Sequence, residues 1–113
     1  MKWSDGSPLT SVAFQWFYDN HVQNQDIQPI LPAELCTGTE KILAQLTTPD
    51  DYTVHVLFAH PNPLFGYTMA GHWFQPFCPH HYMAQFHMEE TADKDALAAL
   101  VKEKGFDSWG AYY

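Results

Sequence analysis

The chain has 113 residues, of which 46% are hydrophobic and 16% aromatic, a composition that excludes disorder and fits one small domain over residues 1–113. Its formal charge is −8, with five lysines and no arginine, so the dense basic footprint that nucleic-acid binding needs is missing. Pro and His interrupt every apolar run before it reaches the length of a membrane span.

The opening residues, Met1-Lys2-Trp3-Ser4-Asp5, have no apolar leader core. Cys36 and Cys78 have no disulfide-framework spacing and read as two reduced thiols. Together these predict a cytoplasmic protein.

In chain order, Ser7-Pro8 reads as a helix cap followed by Pro at the first helical position. Leu9, Val12, Ala13, Trp16 and Phe17 then recur at helical spacing and predict a first amphipathic helix. Val22 to Pro32 is polar and broken by Pro29 and Pro32, which predicts a loop. A short helical turn fits Ala33 to Cys36. Thr37-Gly38-Thr39-Glu40 has capping-box spacing. With Ile42, Leu43 and Leu46 it predicts a second helix ending before Pro49, and Asp50-Asp51 marks the turn that follows.

Tyr52 to Met88 contains no Asp, Glu, Lys or Arg, and holds six of the seven histidines. Alternation in Tyr52 to Ala59 predicts a strand. Two more strands are predicted over Gly66 to Gln75 and His80 to Glu89, with breaks at Pro61, Pro63, Pro76 and Pro79. The most consistent register places Tyr52, Val54, Val56, Phe58, Tyr67, Met69, Trp73, Tyr82, Ala84, Phe86 and Met88 on a core face. The other face then carries His55, Leu57, His72, Phe74, His81, Met83 and His87.

Thr91 to Lys104 predicts a third helix, acidic at its start and basic at its end, with Ala96, Leu97, Leu100 and Val101 inward. Gly105 is placed to close it and Phe106 to fold back. The aromatic tail, Phe106 to Tyr113, is expected to pack on the body. The resulting order is α-α-β-β-β-α: an α+β fold with a three-stranded antiparallel meander, or four strands if the tail adds an edge, and helices on one face.

Three kinds of chemistry compete for the His-rich segment. Cys78, His80 and His81 offer soft and borderline ligands for zinc or another transition metal, and His55 with His72 offers a second pair. His81 and His87 would sit roughly 20 Å apart along a strand, too far to share an ion. Cys78 beside His80 or His81 could pair a thiol with a base, but no nucleophile elbow, phosphate loop or paired-acid motif indicates catalysis. The uncharged His and aromatic face fits an interface centre.

The leading expectation is therefore a stoichiometric protein-binding domain of inhibitor, immunity or anti-defence type, without a cofactor. Its partner would have a basic surface, attracted by the acidic chain. The alternative is a small metal- or ligand-binding protein or enzyme using the His/Cys cluster of residues 55–87. Self-association through the sheet is a third reading.

Overall fold

A computed structural model describes residues 1–71 and 75–113. The fold is α+β, with helices and two small two-stranded antiparallel sheets. A bridge between Lys2 and Pro8 closes the N-terminal turn. The first helix, α1, runs over Val12–Phe17 and continues as a wider π turn over Tyr18–Val22. It begins later than the Ser7-Pro8 signal indicates, because Pro8 is taken up by the bridge. Ser11 precedes it instead, and is buried. Its N–H donates to the Asp51 carbonyl (2.9 Å) and its hydroxyl to the Asp50 carbonyl (2.6 Å). The start of α1 is thereby fastened to a β-turn far along the chain.

A short 3-10 turn, Ala33–Leu35, leads into β1 (Cys36–Thr37), which pairs with β2 (Ile42–Leu43). The predicted second helix is therefore absent. Thr37 enters a strand, and Gly38 turns the chain with a φ of 76°, where a side chain is disfavoured. A Cβ there would also press on the His60 ring at 3.0 Å. Next come β3 (Gln45–Asp50) and β4 (Thr53–Leu57). β-Branched Thr47 and Thr48, followed by Pro49, favour extended backbone over helix. The Asp50 carboxylate accepts from the Tyr52 N–H (2.8 Å), making the turn that Asp50-Asp51 signals. Leu46 is buried and Val54 and Val56 half-buried on the inner face, while Gln45, Thr47, His55 and Leu57 are exposed on the outer face.

The second and third strands of the expected meander do not form among the described residues. Phe65–Gly71 is a helix, α2. Phe65, Thr68 and Met69 are half-buried at i, i+3 and i+4, whereas Gly66, Tyr67 and Ala70 are exposed; Tyr67 is 81% exposed rather than in the core. His80–Met83 is a helix, α3, continued by a 3-10 turn over Ala84–Phe86. Its first turn starts after Pro79, whose carbonyl accepts from the Tyr82 and Met83 N–H groups.

The last helices follow the sequence closely. In α4 (Lys94–Glu103) Asp93 caps the start, accepting from the Ala96 N–H at 2.9 Å, and Leu97 and Val101 are buried. Gly105 adopts a φ of 78°, with its N–H on the Lys102 carbonyl and the Phe106 N–H on the Val101 carbonyl. That is a Schellman ending. The tail packs back, as the short helix α5 (Trp109–Tyr112) rather than as a strand. The main core joins Tyr18, Val22, Leu35 and Leu46, with Phe17, Leu43, Val54, Val56 and Phe65 packed around them. Tyr18 anchors it by donating its hydroxyl to the Ala44 carbonyl at 2.6 Å.

Candidate functional site

The β3–β4 ribbon presents the most distinctive surface. Gln45 lies opposite Leu57, and Thr47 opposite His55. Since strand side chains alternate, these four share the outer face, and none carries a formal charge. The ribbon borders a groove of about 480 Å³ lined by Gln45, Thr47, Val54, His55, Val56 and Leu57, within the size range of small-ligand pockets. Leu57 is 67% exposed. The sequence placed His55 and Leu57 on an open face, and the structure does the same. It missed Gln45 and Thr47, because the capping-box spacing of Thr37 to Glu40 had claimed that segment for a helix. The Thr47-Thr48-Pro49 run ahead of Asp50-Asp51 was the available signal for a strand.

The remaining expected surface residues do not join that face. His81 sits on α3, 2.6 Å from Asp5 through Nε2, and ties the helix to the N-terminal turn. Met83 is half-buried. His72 and Phe74 lie outside the described residues. His87 is wholly buried and forms the hub of a second cluster. Its Nδ1 accepts from the Glu89 N–H (3.3 Å), so Nε2 carries the proton and donates to the Asn20 carbonyl at 2.9 Å. The Asn24 side-chain nitrogen, 3.4 Å from the same Nε2, is then donor facing donor and adds no bond. Trp16, Trp109 and Tyr113 meet the imidazole edge-on at centroid distances of 5.7, 4.9 and 5.8 Å. Trp109 in turn donates its indole N–H to Asp26 at 3.1 Å. His87 is thus an internal fastening for the tail, not a contact residue.

The Cys78, His80 and His81 ligand set is not assembled. Among the described residues no group of three or more His, Cys, Asp or Glu could hold a metal ion. Burial pushes the Cys78 thiol up to about 11, which disfavours the thiolate a metal or a nucleophilic mechanism requires. Burial also holds His80 below the ordinary imidazole value, with the neighbouring His81 charge acting in the same direction.

The model of the bacterial extracellular solute-binding proteins, family 5 (middle region) matches residues 1–108. The chain belongs to this family. Among solved structures, the oligopeptide-binding protein OppA is similar over 98% of the chain, at 30% identity and a TM-score of 0.78. The chain spans 16% of that protein's length. Comparison with curated protein sequences gives no significant match.

Family membership overturns the inhibitor or immunity-type function and replaces the protein partner by a solute ligand, while of the metal- or ligand-binding alternative it supports ligand binding and gives no support to metal binding. It likewise corrects the cytoplasmic expectation, since the family is one of extracellular solute-binding proteins. Those expectations rested on small size, acidity and the absence of a motif. These properties belong equally to a segment of a large binding protein. Among the described residues no helix is long and apolar enough to cross a membrane.

Proposed function

We propose that the chain contributes to an extracellular or periplasmic solute-binding protein whose ligand is a peptide. The observation that carries this reading is the likeness to OppA, 30% identical over 98% of the chain with a TM-score of 0.78. The uncharged groove beside β4 is compatible with it. A peptide ligand offers amides and apolar side chains more than net charge, and the groove supplies Thr, Gln and His donors and acceptors beside Leu and Val. The buried, high-pKa thiol of Cys78 also suits an oxidising compartment, because a thiol kept protonated and half-buried reacts slowly.

The test is a graft. The 113 residues replace the matching segment of OppA, and the chimera is titrated with oligopeptides by calorimetry. Peptide binding within about tenfold of OppA, a difference of roughly 1.4 kcal/mol, is the expected result. A chimera that folds, judged by circular dichroism, yet binds no peptide refutes the reading.

A further inference from the structure

We propose that the aromatic tail is an acid-released latch: α5 and Tyr113 stay docked while the imidazole of His21 beneath them is neutral, and leave the body when it takes up a proton. The latch does not depend on what the protein binds.

The first observation is how the tail is held. Tyr113 meets two imidazoles, His21 at a centroid distance of 5.7 Å and His87 at 5.8 Å. Trp109 lies 4.9 Å from His87 and donates its indole N–H to Asp26, and Tyr112 meets Phe86 edge-on at 6.1 Å. The helix itself has four residues, with the Ala111 N–H capped by the Ser108 hydroxyl at 3.2 Å. A helix this short has no stability of its own, so it persists through these contacts alone. Residues 102–108, which link it to α4, are exposed. The main core of Tyr18, Val22, Leu35 and Leu46 does not include the tail, so the tail can open by itself.

The second observation is what surrounds His21. Its ring stacks on Phe17 at 4.5 Å with an interplanar angle of 16°, half-buried beside Tyr113. Burial holds the imidazole below its ordinary value; His87 acts in the same direction, and a hydrogen bond with the Gln28 side chain acts against them. The aromatic faces would attract an imidazolium, but loss of water outweighs that attraction because no counter-charge replaces the water.

The neighbouring groups are all committed elsewhere. On the same turn, the Asp19 carboxylate accepts from the side-chain amides of Gln15 and Gln23. In the following loop, Asp26 accepts from Trp109. After α3, Glu89 lines the outer cleft with Asp19 and Asp26, and the forces on His21 include no carboxylate. Before α3 and in the tail, burial keeps the Cys78 thiol and the Tyr113 hydroxyl protonated. His87 is fixed by accepting from the Glu89 N–H and donating to the carbonyl of Asn20, the residue before His21.

The sign of the coupling follows. The docked tail lowers the proton affinity of His21 and the released tail restores it, so protons bind the released form in preference. Docking is complete above about pH 6.5 and weakens as pH falls below it. Where the released form alone takes up the proton, the ratio of docked to released tail falls about tenfold per pH unit.

Amide exchange and imidazole titration by NMR test this on the 113-residue protein. Between about pH 7.5 and about pH 5.5, the protection factors of the Ala111 and Tyr113 amides should fall about tenfold, while those of Leu97 and Ala44, bonded within the body, should change by less than about twofold. His21→Phe keeps a ring between Phe17 and Tyr113 but cannot titrate, so its tail protection should be flat over that range. Reciprocity supplies a second readout that leaves His21 unchanged. In Gly110→Ala, whose added Cβ meets the Asp26 carbonyl, docking is disfavoured, and the His21 titration midpoint should rise toward the ordinary imidazole value. Tail protection that ignores acid, or that falls together with Leu97 and Ala44, overturns the latch. An acid-induced fall that survives in His21→Phe also overturns it, by placing the proton elsewhere. A His21 midpoint unmoved by Gly110→Ala does the same, whatever His21→Phe shows.

Discussion

Replacing His87 by Ala should be among the most damaging single changes in the chain. The imidazole is fully buried, so truncation removes its packing against Trp16, Trp109 and Tyr113. Large-to-small changes at buried aromatic positions cost about 3–5 kcal/mol, and a His ring falls at the lower end. The change also strips the Asn20 carbonyl and the Glu89 N–H of their partner, at about 1 kcal/mol for each bond. A total of about 5 kcal/mol is a large share of the 5–15 kcal/mol that holds a typical domain together. With a urea slope of about 2 kcal/mol/M, the midpoint should drop by about 2.5 M. His87→Phe separates the two contributions: it keeps a ring among the aromatics but can make neither bond, so the loss should shrink to about 1–3 kcal/mol. Far-UV circular dichroism in urea gives the midpoints, and amide exchange at Ala111 and Tyr113 reports whether the tail stays docked. If His87→Ala shifts the midpoint by less than about 0.5 M and leaves those amides protected, the hub role is refuted.

Three further outcomes follow from the same packing. Gly110→Ala should destabilise by about 1–3 kcal/mol, because a Cβ there collides with the Asp26 backbone carbonyl; faster exchange confined to the tail is the expected signature. Leu46→Ala should cost about 2–5 kcal/mol, since Leu46 is buried in the core, while Leu57→Lys on the outer face should change the stability of the 113-residue protein by no more than about 0.5 kcal/mol; equal losses would mean the ribbon register is wrong. Burial holds both His21 and His80 below the usual imidazole value, so the unfolded chain takes up these protons first as pH falls. Their contribution to stability is thus complete above about pH 6.5 and is lost progressively below it. The Cys78 thiol is raised from 9.0 to about 11, so the unfolded state ionises first and stability falls as pH rises through that window. Urea midpoints across pH 5–10 check both limbs, and a flat profile contradicts them.

The sequence was most legible where local chemistry and burial agree. In α4 the cap, the inward stripe of Leu97 and Val101, and Gly105 all specify one structure, and that structure forms. The β4 strand was readable for the same reason: Val54 and Val56 alternate with His55 and Leu57, and their exposures alternate too. Failure came where two periods fit the same residues. In His80 to Met88, aromatic and Met residues at 82, 86 and 88 suggest alternation. His80, Met83, Ala84 and His87, at i, i+3, i+4 and i+7, are half-buried or buried, with Phe86 and Met88 half-buried beside them. That is a helical stripe, but two of its four members are histidines, which a hydrophobic pattern does not count. Phe65, Thr68 and Met69 hide α2 in the same way, because Thr68 scores as polar.

The misplaced histidines also account for the misplaced function. Treated as surface groups on one sheet, they describe a titratable contact face. In the fold they separate into different duties: His55 is exposed on β4, His81 is tied to Asp5, and His87 is sealed under the tail. An uncharged segment in an acidic chain therefore needs no basic partner to explain it. Part of it is internal wiring, with His87 holding α5 to α1 through Asn20, Trp16 and Trp109. The part that remains exposed is the outer face of the β3–β4 ribbon, where Gln45, Thr47, His55 and Leu57 lie together.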